Sequence, residues 1–124
     1  MPSSNVEVAR RGYKAAVEGD LETLTKFLDP EVQWHGGDPN ADGACRNRDQ
    51  ALAVMARAHQ QGPIGELVDV IEAGAQVVVV MRPRGAGGAL RANLTTFRDG
   101  RAVEMVAFDS PEAALAAAHR APRA

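Results

Sequence analysis

Apolar residues in the first part of the chain recur at helical spacing, and residues that end helices separate them. The first set returns every three or four residues and predicts an amphipathic helix: Val6, Ala9, Tyr13, Ala16 and Val17. Gly19 ends this helix, and Asp20 caps a shorter second one, because its carboxylate can accept from a free backbone N–H. The buried side of the second helix is predicted to consist of Leu21, Leu24, Phe27 and Leu28.

The next signals are a proline, a glycine-rich loop and a third apolar stripe. Asp29-Pro30 stops the second helix, because the residue before proline is pushed out of the α region. A short strand over 32–35 leads into a loop from Gly36 to Gly43. We expect this loop to be mobile and to adjust to a ligand, because glycine lowers the cost of alternative backbone states. A third helix is predicted from Arg48 or Asp49 to Gln61.

The second half of the chain has the composition of β-strands. Strands are predicted over 66–73 and 76–82, and the run 77–81 is apolar throughout, as in a central strand covered on both faces. A hairpin extends from Ala89 to Asp109 around the turn Arg98-Asp99-Gly100-Arg101. Asp-Gly favours a tight hairpin turn, because glycine tolerates the positive φ that such turns need.

Each arm of the hairpin divides its side chains between two faces. One face carries Arg91, Asn93, Thr95, Phe97, Val103, Met105, Ala107 and Asp109. The other face is more apolar and carries Leu90, Ala92, Leu94, Glu104, Val106 and Phe108. Neither arm alternates cleanly between apolar and polar residues. We therefore expect a pocket or a helix layer on one side and further protein on the other.

Composition limits the class of protein and its partners. A length of 124 residues with 45% hydrophobic residues predicts a single globular domain over 1–124. A formal net charge of −2 predicts no nucleic-acid partner, since such proteins usually carry a basic surface. The single cysteine, Cys45, excludes an internal disulfide, and the three scattered histidines predict no metal site. No run approaches the about 18 apolar residues of a membrane span, and the N-terminus lacks secretory features, so we expect a cytoplasmic protein without a membrane partner.

Four segments resemble a known superfamily. They are YKAAVEGDL at 13–21, FLDPEVQWH at 27–35, RNRDQAL at 46–52, and FRDGR at 97–101 through Phe108-Asp109. With these segments the chain resembles the SnoaL-like, polyketide cyclase-like branch of the nuclear transport factor 2-like (NTF2-like) superfamily. The resemblance implies an α+β cone, with three N-terminal helices on a curved antiparallel or mixed sheet and a short C-terminal helix. It leaves the activity open, since this fold hosts isomerases, cyclases, hydrolases and non-enzymes.

Ketosteroid isomerase-like members of the superfamily have three catalytic groups, and the resemblance assigns each of them to a position in this chain. The resemblance puts the carboxylate base at Gly36, which has no side chain, with Asp38 two residues further on. It puts the oxyanion-binding acid at Asn93, whose amide can still donate a hydrogen bond to an oxyanion. The oxyanion tyrosine falls one residue from Tyr13. Part of this machinery is therefore expected to remain.

Two other chemistries of the superfamily use carboxylates late in the sheet. Limonene epoxide hydrolase-like members need an Asp-Arg-Asp set, and the resemblance places its final carboxylate at Ala107. The arginine and the first aspartate have no match within 77–82, so epoxide hydrolysis is disfavoured. SnoaL-type cyclases use an aspartate as acid and base, and Asp109 is the nearest carboxylate.

Several candidate residues have both a chemical and a structural interpretation. His35 is a general base near the pocket mouth, or a strand-end histidine that hydrogen-bonds the loop. Tyr13 points its hydroxyl into the pocket, or bridges helix and sheet, while Trp34 forms pocket wall or core. Asn93 needs a ligand or a neighbouring strand residue as partner. Asp109 is catalytic, or caps the last helix together with Ser110-Pro111.

The sequence thus predicts a protein that binds a small hydrophobic organic molecule without a cofactor. The pocket is expected between the helices and the concave side of the sheet, lined by Tyr13, Trp34, Met55, Asn93, Met105 and Ala107. An enzyme of this kind would catalyse acid/base isomerisation or cyclisation, with His35 or Asp109 as base and Asn93 or Tyr13 as oxyanion donor. The alternative is a non-catalytic ligand-binding or dimerisation module, which the missing carboxylates at Gly36 and Ala107 favour.

The more apolar face of the hairpin also predicts a homodimer. Five apolar side chains there form a patch larger than monomers usually expose: Leu90, Ala92, Leu94, Val106 and Phe108. The alternative is that the last helix, predicted over 113–119, folds back and covers the patch within one chain. That helix is short and rich in alanine, so it offers little area to bury, and the dimer is the favoured interpretation.

Overall fold

The computed structural model describes residues 5–36, 40–60, 65–74, 76–83 and 89–120. The described chain forms four α-helices and five β-strands in the order α1 Asn5–Glu18, α2 Leu21–Phe27, β1 Leu28–His35, α3 Arg48–Gln60, β2 Gly65–Ala73, β3 Gln76–Pro83, β4 Arg91–Arg98, β5 Arg101–Phe108 and α4 Pro111–Arg120. The expected α+β class is therefore confirmed. None of the described helices is long and apolar enough to cross a membrane.

The five strands form one mixed sheet in the order β1-β5-β4-β3-β2. β1 runs parallel to β5, and all other neighbours are antiparallel. The β4–β5 hairpin closes at Asp99 and Gly100, whose φ angles of 53° and 76° are those of the tight turn that the sequence predicts. Leu94 pairs with Val106 and Asn93 with Ala107, so the predicted division into two faces is correct in this part of the hairpin. Near the turn a register shift pairs Phe97 with Ala102, so the buried Ala102 takes the place predicted for Val103.

Helices α1, α2 and α3 cover one face of the sheet, which we call the inner face. The main core lies between them and includes Ala9, Tyr13, Leu24, Phe27, Val32, Met55, Val77, Val79, Phe97 and Met105. Val77 to Val80 are all buried, as expected for a central strand covered on both sides.

Helix α4 packs against the opposite face, which we call the outer face. A second core lies there, made of Val78, Val80, Ala92, Leu94 and Ala114, with Leu90 and Phe108 packed against it. The helix therefore covers much of the patch from which the sequence predicts a homodimer, as in the alternative interpretation. The helix buries the patch in spite of its small side chains, because Ala114 can approach the sheet closely enough to be fully buried. A homodimer stays a prediction, and the apolar patch that supports it is smaller once α4 is in place.

Helix α2 is short, as predicted, and departs from the prediction in its buried side. Because it has only seven residues, the expected arrangement of three N-terminal helices is not confirmed. Leu21 is 42% exposed, because it is the first residue of the helix and faces away from the core. Leu28 is buried but already belongs to β1, which begins before Pro30. Asp20 caps the helix as expected, accepting from the Thr23 backbone N–H at 3.2 Å.

Candidate functional site

A cavity of about 540 Å³ opens at one edge of the sheet. Parallel strands β1 and β5 end at this edge, β3 ends there too, and β4 begins there. The cavity is lined by Trp34, Gly36, Met81, Arg91, Ala92, Asn93, Ala107, Phe108, Asp109 and Ala113. Its volume and its mostly apolar wall with a few polar groups are typical of a site for a small organic molecule.

Asn93 brings an unsatisfied polar atom to the wall of this cavity. Its Oδ1 is buried and has no hydrogen-bond partner among the residues that the structure describes. A buried acceptor without a partner costs about 1–3 kcal/mol, so native structures rarely keep one without a reason. A ligand that donates an O–H or N–H in the cavity would satisfy this atom.

Two charged residues, Asp109 and Arg91, lie at the cavity close to Asn93. Ala92 and Phe108 form the last pair of the β4–β5 ladder at this end, and Arg91 and Asp109 are the next residues of the two segments. Arg91, Asn93 and Asp109 all line the same cavity. A small molecule can therefore reach the amide, the carboxylate and the guanidinium at the same time.

Asp109 is not used to cap α4, the structural role that the sequence left open. The Ser110 hydroxyl oxygen accepts the Ala113 backbone N–H at 3.2 Å, which is the N-cap hydrogen bond of that helix. The Asp109 side chain is exposed at the cavity instead. Its carboxylate thus remains accessible to a bound molecule.

Trp34 is fixed at the cavity by the loop that follows β1. Its backbone N–H donates to the Cys45 carbonyl, and the Cys45 N–H donates back, both at 2.8 Å. Trp34 is half-buried, packs against the main core and also lines the cavity. Cys45 is buried, and burial raises the pKa of its thiol, so a reactive thiolate is disfavoured. The mobility expected of the loop from Gly36 to Gly43 stays a prediction, and residues 37–39 of this loop lie outside the described residues.

Tyr13, Met55 and Met105 do not line this cavity, although the sequence predicts all three as pocket residues. All three are buried in the main core. The Tyr13 hydroxyl forms a hydrogen bond of 2.9 Å with the Thr95 side chain, in the buried interior between α1 and β4. Burial raises the pKa of the Tyr13 hydroxyl to about 12, and the bond to Thr95 lowers it only in part. Tyr13 thus bridges helix and sheet, which is the structural interpretation of this residue.

His35 lies on the other side of the sheet from Asn93. It pairs with Val106, which faces outward together with Leu94. Its Nε2 contacts Glu104 Oε2 at 2.8 Å, and the two side chains are 5% and 41% exposed. His35 is not among the residues that line the cavity, so the structure does not bring it together with Asn93 and Asp109.

Arg91 is the cavity residue that the sequence did not single out as a candidate. Its place on the same face as Asn93 could be read from the strand pattern, but exposed arginines on strands are common. Only the folded structure shows that Arg91 and Asp109 line the same cavity. Within the described part of the chain, no three histidine, cysteine, aspartate or glutamate residues cluster in a way that could hold a metal ion.

Comparison with known structures supports the same fold. Bal32a, from a soil-derived mobile gene cassette, is 26% identical, with a TM-score of 0.69 over 84% of this chain and 87% of that chain. A candidate polyketide cyclase from Sinorhizobium meliloti is 15% identical, with a TM-score of 0.69 over 87% and 95% of the two chains. An NTF2-like protein from Burkholderia xenovorans is 16% identical, with a TM-score of 0.67 over 86% and 82%.

The sequence itself gives the family. No match is found among curated proteins. Residues 9–106 match the family model of the SnoaL-like domain, and this span includes strands β1 to β4 and β5 up to Val106. The three similar structures agree with that match in fold. With its α+β architecture and its cavity at the sheet edge, the chain belongs to the SnoaL-like family.

Proposed function

We propose that this protein binds a small, largely apolar organic molecule in the cavity and catalyses cofactor-independent proton transfer on it. The observation that carries the proposal is the buried Oδ1 of Asn93, which has no partner among the described residues and lies on the cavity wall. Asp109 supplies the one carboxylate among the described residues that line the cavity. Trp34, Met81 and Phe108 supply apolar surface for the body of the molecule.

The proposed step is an isomerisation or cyclisation through an enolate. The Asp109 carboxylate accepts a proton from a carbon next to a carbonyl group, and the electron pair of that C–H bond becomes the double bond of the enolate. The Asn93 Oδ1 accepts a hydroxyl of the same molecule, and the Nδ2 of this amide donates an N–H to the enolate oxygen. Asp109 then returns the proton to another carbon of the enolate. Alternatively, the enolate carbon attacks a second carbonyl in the same molecule, and the alkoxide formed there takes the proton from Asp109. Atoms and charge balance without any cofactor.

Family and fold are consistent with this proposal in general terms. A SnoaL-like domain and a structural neighbour described as a candidate polyketide cyclase are both compatible with a cyclase or isomerase. At 15% identity the neighbour supports the fold, while the chemistry is argued from this cavity.

A second function, ligand binding without catalysis, is favoured by two other lining residues. Gly36 and Ala107 both line the cavity, at the positions where ketosteroid isomerase-like and epoxide hydrolase-like members would place carboxylates. Neither residue can transfer a proton. A protein with this cavity and without a working Asp109 would hold its ligand unchanged.

Exchange of carbon-bound hydrogen distinguishes the two functions. 2-Tetralone, a bicyclic ketone with acidic hydrogens next to its carbonyl, would be incubated with the protein in D₂O and followed by proton NMR. The proposal expects faster exchange than in buffer, and loss of the acceleration in Asp109→Asn with binding retained. Binding is measured by the fluorescence of Trp34, the single tryptophan of the chain. Binding without accelerated exchange would favour the non-catalytic function.

A pair of variants locates the binding. Ala107→Phe places a large side chain on the cavity wall and should abolish binding of 2-tetralone. Ala53→Phe adds the same side chain at an exposed position of α3 that does not line the cavity, and should leave binding unchanged. If the two variants bind 2-tetralone with equal affinity, the ligand binds outside this cavity.

A further inference from the structure

Arg91 gives the cavity a positive charge that the proposed proton transfer does not use. It is the first residue of β4, is exposed, and lines the cavity two residues from Asn93. No carboxylate of the described chain lies within 4 Å of its guanidinium, so Asp109 does not take up this charge although it lines the same cavity. The guanidinium is therefore available to a bound molecule.

The chemistry of arginine indicates what that molecule carries. The planar guanidinium presents several N–H donors in a fork that matches the two oxygens of a carboxylate or a related oxyacid. Lys would suit a point charge equally well, but it lacks this fork. Next to the guanidinium the wall is apolar, with Trp34, Met81 and Phe108. The cavity thus combines an apolar surface with one cationic end.

Resting on the function proposed above, we infer that the ligand is an apolar molecule with one anionic oxygen group and that Arg91 binds this group. The apolar body lies against Trp34 and Phe108, and a hydroxyl or carbonyl of the body reaches Asn93. Asp109 repels the anionic group and so directs it to the Arg91 side of the cavity. When Asp109 takes up a proton, the repulsion ends and Arg91 also stabilises the negative charge that develops on the ligand.

Two fluorescent probes with nearly the same apolar body test this inference. 8-Anilinonaphthalene-1-sulfonate is anionic, and N-phenyl-1-naphthylamine lacks the sulfonate and is neutral. Both accept excitation energy from tryptophan, so transfer from Trp34 reports binding, and its loss in Ala107→Phe assigns that binding to the cavity. The anionic probe is expected to bind more tightly than the neutral probe.

Arginine variants assign the difference to one side chain. Arg91→Gln should weaken binding of the anionic probe about five- to tenfold, since the lost hydrogen bond is charge-assisted but partly exposed. Binding of the neutral probe should not change. Arg101→Gln is the matched control, because it removes the same charge from an exposed residue of β5 outside the cavity. Asp109→Asn should tighten binding of the anionic probe only.

The outcomes separate this inference from the function on which it rests. If both probes bind and Arg91→Gln weakens both equally, or neither, Arg91 does not select an anionic group, while the cavity remains a binding site. If Arg101→Gln has the same effect as Arg91→Gln, the selection comes from the overall charge and the inference is wrong. If neither probe receives energy from Trp34, the cavity does not accept such molecules and both proposals are contradicted.

Discussion

Thr95 and Asn93 lie two residues apart on the inner face of β4 and differ in one respect. Thr95 is fully buried, and its hydroxyl is hydrogen-bonded to Tyr13 of α1. The Asn93 Oδ1 is also buried but has no partner in the described chain. The first residue belongs to the half of the inner face that the helices close, and the second to the half that stays open as the cavity.

The difference separates polar groups that stabilise the fold from polar groups that are available to a ligand. Tyr13, Thr95 and His35 each have a side-chain partner within the protein. Such groups are satisfied, and they explain the packing of α1 on the sheet and of β1 on β5. A group that is buried and unsatisfied lowers stability, so it marks a place where function and folding make different demands.

The largest effect is expected from two residues of β5 that the sequence treats alike. Met105→Ala should lower the free energy of unfolding by about 2–5 kcal/mol, because Met105 is buried in the main core and its loss leaves a void. Ala107→Phe should leave that free energy nearly unchanged and abolish ligand binding, because Ala107 is exposed at the cavity. Urea unfolding and 2-tetralone binding measure both. If Met105→Ala is folded but no longer binds 2-tetralone, the separation between the closed half of the inner face and the cavity is contradicted.

The next effect concerns pH and Tyr13, the single tyrosine of the chain. Its hydroxyl has a pKa of about 12 in the folded protein and 10.0 as the ordinary value. The folded state therefore holds the proton more tightly than the unfolded state. The resulting stability is complete below pH 10 and is lost as the pH rises towards 12, which amounts to about 2–3 kcal/mol.

Tyr13→Phe is the control for this alkaline loss. The variant lacks the titrating group, so its stability should fall less than that of the wild type between pH 10 and pH 12. Urea unfolding at several pH values measures the difference, and absorbance of the phenolate follows the titration directly. Parallel curves for the two proteins would show that Tyr13 is in contact with water and is not part of the closed half.

The smallest loss of stability is expected at His35. His35→Leu removes the contact with Glu104 and should lower the free energy of unfolding by about 1 kcal/mol, since Glu104 is half-exposed and can turn to water. Binding and exchange of 2-tetralone should be unchanged, because His35 is not among the residues that line the cavity. If His35→Leu keeps its stability but no longer accelerates hydrogen exchange of 2-tetralone, His35 acts as the base and this prediction is wrong.

The sequence predicts the elements and the faces of the hairpin well, because both depend on local patterns. Asp20 as a cap, Asp99-Gly100 as a turn and the division of side chains in β4 and β5 follow from spacing and from turn chemistry. Leu21 is a local failure, since its place at the first position of α2 turns it away from the core.

The candidate site is predicted only in part, because its members are joined by pairing between distant strands. Trp34, Asn93, Ala107 and Asp109 line the cavity as expected or as one of the alternatives. The position of the Tyr13 hydroxyl depends on its hydrogen bond to Thr95, which is 82 residues away in the sequence. The position of the His35 ring depends on its contact with Glu104, which is 69 residues away. No local pattern shows such partners. The sequence also favoured a second subunit over α4 as the cover of the outer face, because an alanine-rich helix gives a weak apolar signal.

The account rests on Asn93 being kept for a ligand at some cost in stability, and urea unfolding of two variants of β4 tests this most directly. Thr95→Val should lower the free energy of unfolding by about 1–3 kcal/mol, because it leaves the buried Tyr13 hydroxyl without its partner. Asn93→Leu should not lower it, and should raise it by about 1 kcal/mol, because a buried acceptor without a partner is removed. A loss of stability in Asn93→Leu as large as that in Thr95→Val would contradict the account, since Asn93 would then stabilise the fold.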